Sequence, residues 1–305
     1  MHAFVEIESA VTPPAAWTYA MLPDVRCLRV ELRASVAQKL PPLITSALHG
    51  AFGHALRERA CRCPDRRHVE GCLYAELTAP APGAEAPAGV TTHAPSPVVF
   101  APEDPVTGEP VFLDQGERIA VRVTLIGPAR THEPLVLDAL ERAAARGLGI
   151  GAARSHAARP PLSLVEAKTA PALIHLPSRR VRVRFVSPAR IVEEGKVQGS
   201  IDARRFLVAL QRRADLLSRV HGNGAPPALP LGDISTTAVD TMVMPIRRFS
   251  ARQGRRMVWP GVMGSLLLEG ESLSSLTPLL AFGAAVQIGK GTTFGFGRFL
   301  VDSQG

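Results

Sequence analysis

Gly289-Lys290-Gly291-Thr292-Thr293-Phe294-Gly295-Phe296-Gly297-Arg298 is the stretch on which the fold turns. An apolar run that reads as a helix, Leu276 to Val286, precedes it, and a terminal strand, Arg298 to Val301, follows. The G-x-x-x-x-G-K-[ST] spacing of a phosphate-binding P-loop is absent. A dinucleotide fingerprint is also excluded, because no βαβ unit follows. Four glycines and one lysine between a helix and a strand suit a loop whose backbone amides meet an anionic chain. A second reading stays open: a series of tight turns, pinned to the core by Phe294 and Phe296.

Outward from that loop, Val181 to Val186 reads as a strand. Asp202 to about Val220 reads as a helix with Phe206, Leu207, Leu210, Ala214 and Leu217 inside. Met242 to Phe249 and Arg256 to Leu268 read as paired strands joined by an Arg-rich turn. The first half repeats the plan. Residues 28–36 alternate as a strand, and Pro41 and Pro42 introduce a helix to about Arg59. Ile119 to Ile126 is a strand and Pro134 to Arg146 a helix. Residues 79–110, rich in Pro, Ala and Gly, read as a long loop. Pro160, Pro161, Pro171 and Pro177 read as a linker holding one short apolar strand near Leu162 to Val165. The expectation is an α+β fold of two tandem ferredoxin-like β-α-β-β-α-β domains. The first, 1–170, carries a Cys-rich and Pro-rich insertion at about 60–110. The second, 178–305, carries the Arg-rich hairpin and the Gly-rich loop.

Composition agrees with a chain of 305 residues that buries real cores, at roughly 100–200 residues per domain. Hydrophobic residues make up 46%, which excludes a disordered chain. No window approaches the ~18 apolar residues of a membrane span, and the N-terminus has no secretion signal, so a cytoplasmic location is expected. The 35 Lys and Arg against 27 Asp and Glu give a net charge of +8. Only Lys39, Lys168, Lys196 and Lys290 are lysines. Arginine forks match phosphate oxygens, so the balance fits a nucleic-acid partner, although a GC-rich genome also inflates Arg, Ala and Pro together. Aromatics total only 5%, which favours backbone and shape recognition over base stacking.

The motifs, in order, resemble one family. The Gly289–Arg298 stretch is similar to the C-terminal glycine-rich motif of the CRISPR-associated repeat-RNA-processing endoribonucleases, the Cas6 family within the RAMP superfamily. Leu48-His49-Gly50-Ala51-Phe52-Gly53-His54-Ala55-Leu56-Arg57 resembles its first helix. Cys72-Leu73-Tyr74-Ala75 resembles the segment after its Cys-rich stretch. Arg248-Phe249-Ser250-Ala251-Arg252-Gln253 and Pro260-Gly261-Val262-Met263-Gly264 resemble its second-half hairpin. The resemblance runs over roughly 28–302. It implies paired RRM-like, RAMP-type domains and metal-independent cleavage of CRISPR repeat transcripts (pre-crRNA) by 2′-hydroxyl attack. The products would be a 2′,3′-cyclic phosphate and a 5′-hydroxyl. The implied partners are the repeat RNA, bound as a stem-loop, and other subunits of a CRISPR effector complex. A non-catalytic RAMP-type RNA-binding subunit of such a complex is the alternative.

That chemistry needs a base at the 2′-oxygen, an acid at the leaving oxygen and positive charge on the phosphorane. The resemblance places a catalytic histidine in or beside the first helix. His54 and His49 both qualify, with His54 favoured because it follows Gly53 and lies one turn before Arg57. Five helical residues separate them by ~140°, so they flank the small-residue face of Ser46, Gly50, Gly53 and Arg57 from opposite sides. An arginine-based site drawing on Arg33, Arg57 and Arg252 stays open. Candidate RNA-binding residues are Gly289, Lys290, Gly291, Thr292 and Thr293 in the loop, Arg247, Arg248, Arg252, Arg255 and Arg256 in the hairpin, and Arg182. Arg182 stands between Arg180 and Arg184 on one strand face. Arg204, Arg205, Arg212 and Arg213 read as a solvated helix face. Cys61, Cys63, His68 and Cys72 form a candidate structural zinc set, with free thiols in a surface loop as the alternative. No cofactor is expected for catalysis.

Overall fold

The computed structural model describes residues 19–64, 67–82, 94–150, 159–170, 178–222, 224, 226, 233–250 and 255–303. Side chains at 19, 238, 249, 250, 256 and 303 lie outside that description. The expected residue Arg252, and the side chain of Arg256, are therefore outside it as well.

The first half comprises β1 (Val25–Ala34), β2 (Gln38–Leu40), α1 (Ile44–Ala60), α2 (Leu73–Thr78), β3 (Val98–Pro102), β4 (Val111–Leu113), β5 (Arg118–Ile126), α3 (Glu133–Ala145) and β6 (Leu162–Thr169). The second comprises β7 (Arg180–Ala189), the short pair β8 (Val192–Glu193) and β9 (Lys196–Val197), α4 (Ala203–His221), β10 (Ser235–Ser250), β11 (Arg255–Glu269), α5 (Thr277–Val286) and β12 (Phe299–Ser303). The main sheets run β3-β5-β1-β6 and β10-β11-β7-β12, antiparallel throughout. Both orders are the ferredoxin-like one, so the expected α+β architecture of two tandem β-α-β-β-α-β units is what forms.

Each sheet is half-buried because its strands alternate. Leu28, Val30 and Leu32 of β1 are buried, whereas Arg29 and Glu31 on the opposite face are not. Helices α1 and α3 cover the apolar face through Leu48, Phe52, Leu56, Val136 and Leu140. In the second half Val181, Val183 and Phe185 pack under Phe206, Leu210 and Leu217 of α4. Asp202 caps α4 by accepting from the Arg205 amide at 2.8 Å.

One strand lies where the sequence reads as irregular chain, and another is longer than the sequence suggests. β3 falls inside the stretch read as a loop, and β6 extends the short strand of the expected linker to the edge of the first sheet. β3 is buried along its whole length, so Val98-Val99-Phe100-Ala101 has no polar alternation to mark it. Phe100 meets Phe52 of α1 edge-on, with ring centroids 5.2 Å apart, whereas Val99 joins the core of the second half. One further expectation is corrected: Arg213 is buried, not solvated. It donates to the Val286 carbonyl at 3.4 Å, and burial lowers its pKa to about 10.

The two halves meet along β3. Gln287 Nε2 donates to Phe100 O at 2.7 Å, Thr124 Oγ1 to Ala285 O at 2.9 Å, and His221 Nε2 to Pro95 O at 2.8 Å. Arg298 is buried at the same seam and donates to Pro102 O and Glu103 O. Burial, partly offset by Glu103, lowers its pKa to about 10. A small third core of Leu43, Val106, Ile246 and Phe296 fills the space between the bare face of the second sheet and the first half. No helix among the described residues is long and apolar enough to cross a membrane.

Candidate nucleic-acid interface

The Gly-rich loop folds as a series of tight turns, the second of its two sequence readings. Phe296 is fully buried, so the loop is pinned as the tight-turn reading requires. Gly295 has φ +96°, and a Cβ there would stand 2.0 Å from Thr45 Oγ1. Only glycine admits that approach, and it lets Thr45 Oγ1 of α1 donate to Phe294 O at 2.9 Å. Lys290 N donates to Arg190 O at 2.8 Å, and the ammonium stays exposed, without an ion pair among the described residues. The Gly291, Thr292 and Thr293 amides likewise have no acceptor among the described residues.

His49 lies against this loop. Its ring meets Phe294 edge-on with centroids 4.6 Å apart and Phe100 at 6.0 Å. Its Nδ1 is buried with no hydrogen-bond partner. Burial, and then the charge of Arg248, lower its pKa to about 4, so the imidazole is neutral at pH 7.

Arg248 does not project from a hairpin tip. Its guanidinium lies over the Phe294 ring at 4.1 Å and the Trp259 ring at 4.5 Å. Arg190 lies over the same Trp259 at 4.5 Å and donates to Pro260 O. Burial lowers both pKa values, and Arg190 lowers that of Arg248 further. Neither arginine has a carboxylate partner among the described residues, and the Arg248 Nε is buried without an acceptor. Two partly desolvated cations and an unpartnered imidazole nitrogen thus converge where α1 meets the loop, which itself carries the exposed Lys290. Such orphan groups cost ~1–3 kcal/mol each until a partner arrives, and an oxyanion would satisfy the guanidinium groups.

His54 and Arg57 do not join this cluster. They line an open cleft with Glu58, Cys61 and Cys63, and His54 lies about 140° round the helix from His49, as the spacing predicts. Arg33 is exposed on β1, in register with Arg118. Arg247 and Arg255 are exposed on the long hairpin, and Arg182 is exposed with Arg180 and Arg184 on the bare face of β7. Sequence reasoning missed Arg190, Trp259 and Thr45. Trp259 sits beside the quoted hairpin segments, and one Trp near an Arg cluster was the available signal.

Two ferredoxin-like units meet at a Gly-rich loop, with arginines gathered at the seam. Residues 183–299 match the family model for CRISPR-associated endoribonuclease Cas6. Residues 22–173 match a model described as an N-terminal domain. The fold is similar to that of a Thermus thermophilus Cas6 in a product complex, with TM-score 0.58, 18% identity, and 92% of this chain and 100% of that one covered. A Cas6-related protein of Pyrococcus furiosus gives TM-score 0.54 at 10% identity, covering 92% and 100%. A RAMP protein that binds different RNA substrates gives 0.51 at 11%, covering 91% and 99%. No curated protein matches the sequence.

Proposed function

We propose that this protein cleaves CRISPR repeat RNA without a catalytic metal, by attack of a 2′-hydroxyl on the adjacent phosphorus, and that His49 is the base. The observation that carries the reading is the cluster at the seam: a neutral imidazole beside two guanidiniums that have no acid partner among the described residues. A neutral imidazole takes a proton from the 2′-oxygen. Arg248 and Lys290, with the free amides of the Gly-rich loop, offset the charge gathering on the phosphorane. The geometry weighs His49 above His54. His54 and Arg57 then hold RNA backbone further along α1, and Arg182, Arg247 and Arg255 the stem of a repeat hairpin.

The test is single-turnover cleavage of the repeat from the protein's own locus in excess EDTA, with a 2′-deoxy substitution at the cut site as control. Wild type cuts once, and the deoxy substrate is inert. His49→Ala slows cleavage by ~10²–10⁴-fold with RNA affinity retained, and His54→Ala does not. The reverse ranking transfers the role to His54. Tight binding without any cut makes the chain a non-catalytic RNA-binding subunit of a CRISPR effector complex.

A further inference from the structure

Helix α1 ends at Cys61, whose amide donates to Arg57 O at 2.9 Å, and Cys72 is the N-cap of α2. Between them Gly71, at φ +76°, turns the chain so that the Cys72 amide reaches Val69 O at 3.1 Å. This brings Cys61, Cys63, His68 and Cys72 together, with all four ligand atoms within 4.8 Å of one another. The Cys61 and Cys72 sulfurs lie 3.5 and 3.6 Å from His68 Nδ1.

Those two lengths are informative. Zinc bonds thiolate at ~2.3 Å and imidazole nitrogen at ~2.0–2.1 Å, so across a tetrahedral angle the two ligands stand ~3.6 Å apart. Mutual hydrogen bonding, which also links the three thiols to one another, holds the group only weakly. A neutral imidazole nitrogen has one lone pair, and two weak thiol donors compete for it. A shared cation satisfies every member. The surroundings support the ligands as an outer shell does: Val69 N–H donates to Cys63 Sγ at 3.5 Å, and Tyr74 packs on the His68 ring at 4.9 Å. Three thiolates around Zn²⁺ leave one net negative charge, next to Arg57 in the cleft and to Arg62 and Arg67 in the sequence.

We propose that Cys61, Cys63, His68 and Cys72 hold one structural Zn²⁺ that clamps the C-terminus of α1 to α2. Binding replaces three thiol protons, which pass to the buffer, and no redox change occurs. Protein atoms fill all four positions, so no site is left for a reacting water. The clamp fixes the end of α1 that carries His54, Arg57 and Glu58, and it is independent of whether the chain cleaves RNA.

The experiment is elemental analysis of the intact protein purified without chelator, followed by replacement of the metal with Co²⁺. Near-stoichiometric zinc is expected, and the cobalt form should show thiolate-to-metal charge transfer and tetrahedral ligand-field bands. His68→Cys should keep zinc and thermal stability, whereas His68→Ala and Cys63→Ser should lose both. Absence of zinc from protein made in zinc-supplemented medium, together with no cobalt charge transfer, overturns the proposal. So does a mass deficit of two hydrogens per chain, which marks a disulfide among the three cysteines.

Discussion

At the scale of single residues, His49 shows how a tertiary setting changes a side chain's chemistry. The folded chain keeps its imidazole neutral down to about pH 4, whereas the unfolded chain takes the proton near 6.5. Acidification therefore favours unfolding. The contribution is intact above pH 6.5 and is lost as the pH falls towards 4, by up to about 3 kcal/mol. Urea unfolding of wild type and His49→Ala at pH 7 and at pH 4.5 checks this. The wild type loses its advantage over the variant as the pH falls; a difference that does not move with pH rejects the buried neutral imidazole. His221, also lowered by burial, titrates in both chains and cancels.

At the scale of elements, the glycines of α1 and of the loop have opposite uses. A Cβ at Gly50 or Gly53 would meet nothing within 4 Å, so no described part of the protein requires glycine there. Their place inside a helix costs ~1 kcal/mol each relative to alanine. Gly50→Ala and Gly53→Ala therefore raise Tm. If the small-residue face lies under the RNA backbone, the same changes weaken RNA binding several-fold in a filter-binding assay, and unchanged affinity removes this face from the RNA path. Gly295→Ala goes the other way: positive φ and the close approach to Thr45 destabilise the fold by ~2–3 kcal/mol, read as a lowered urea midpoint. The strand hidden in the sequence, β3, and the one read too short, β6, also belong to this scale. β3 carries no alternation because its two faces enter two different cores, and β6 reads short because its second half, Glu166-Ala167-Lys168-Thr169, carries little apolar signal.

At the scale of the molecule, the net charge of +8 is spread unevenly in use. Many arginines are committed to ion pairs, such as Arg59 with Asp138 and Arg122 with Glu103, or to the seam, as with Arg298. Arg182, Arg247 and Lys290 are exposed and have no ion pair among the described residues. Replacing the three by alanine should flatten the dependence of log K on log salt by ~0.7–0.9 for each phosphate no longer neutralised. Fluorescence anisotropy with repeat RNA across a KCl series reads the slope, and an unchanged slope would place the RNA on another surface.

The sequence by itself determined the duplicated β-α-β-β-α-β plan, because strand and helix periods are local properties of the chain. It also determined the Gly-rich loop and the 140° separation of the two histidines, since helical spacing alone sets that angle. Only the tertiary structure decided which histidine faces the loop. The seam between the halves buries one side of α1 against Phe294 and Phe100, and no local pattern encodes which side that is. It likewise turned Arg248 from a hairpin charge into the wall of a cluster, because Trp259 and Phe294 reach it from different elements.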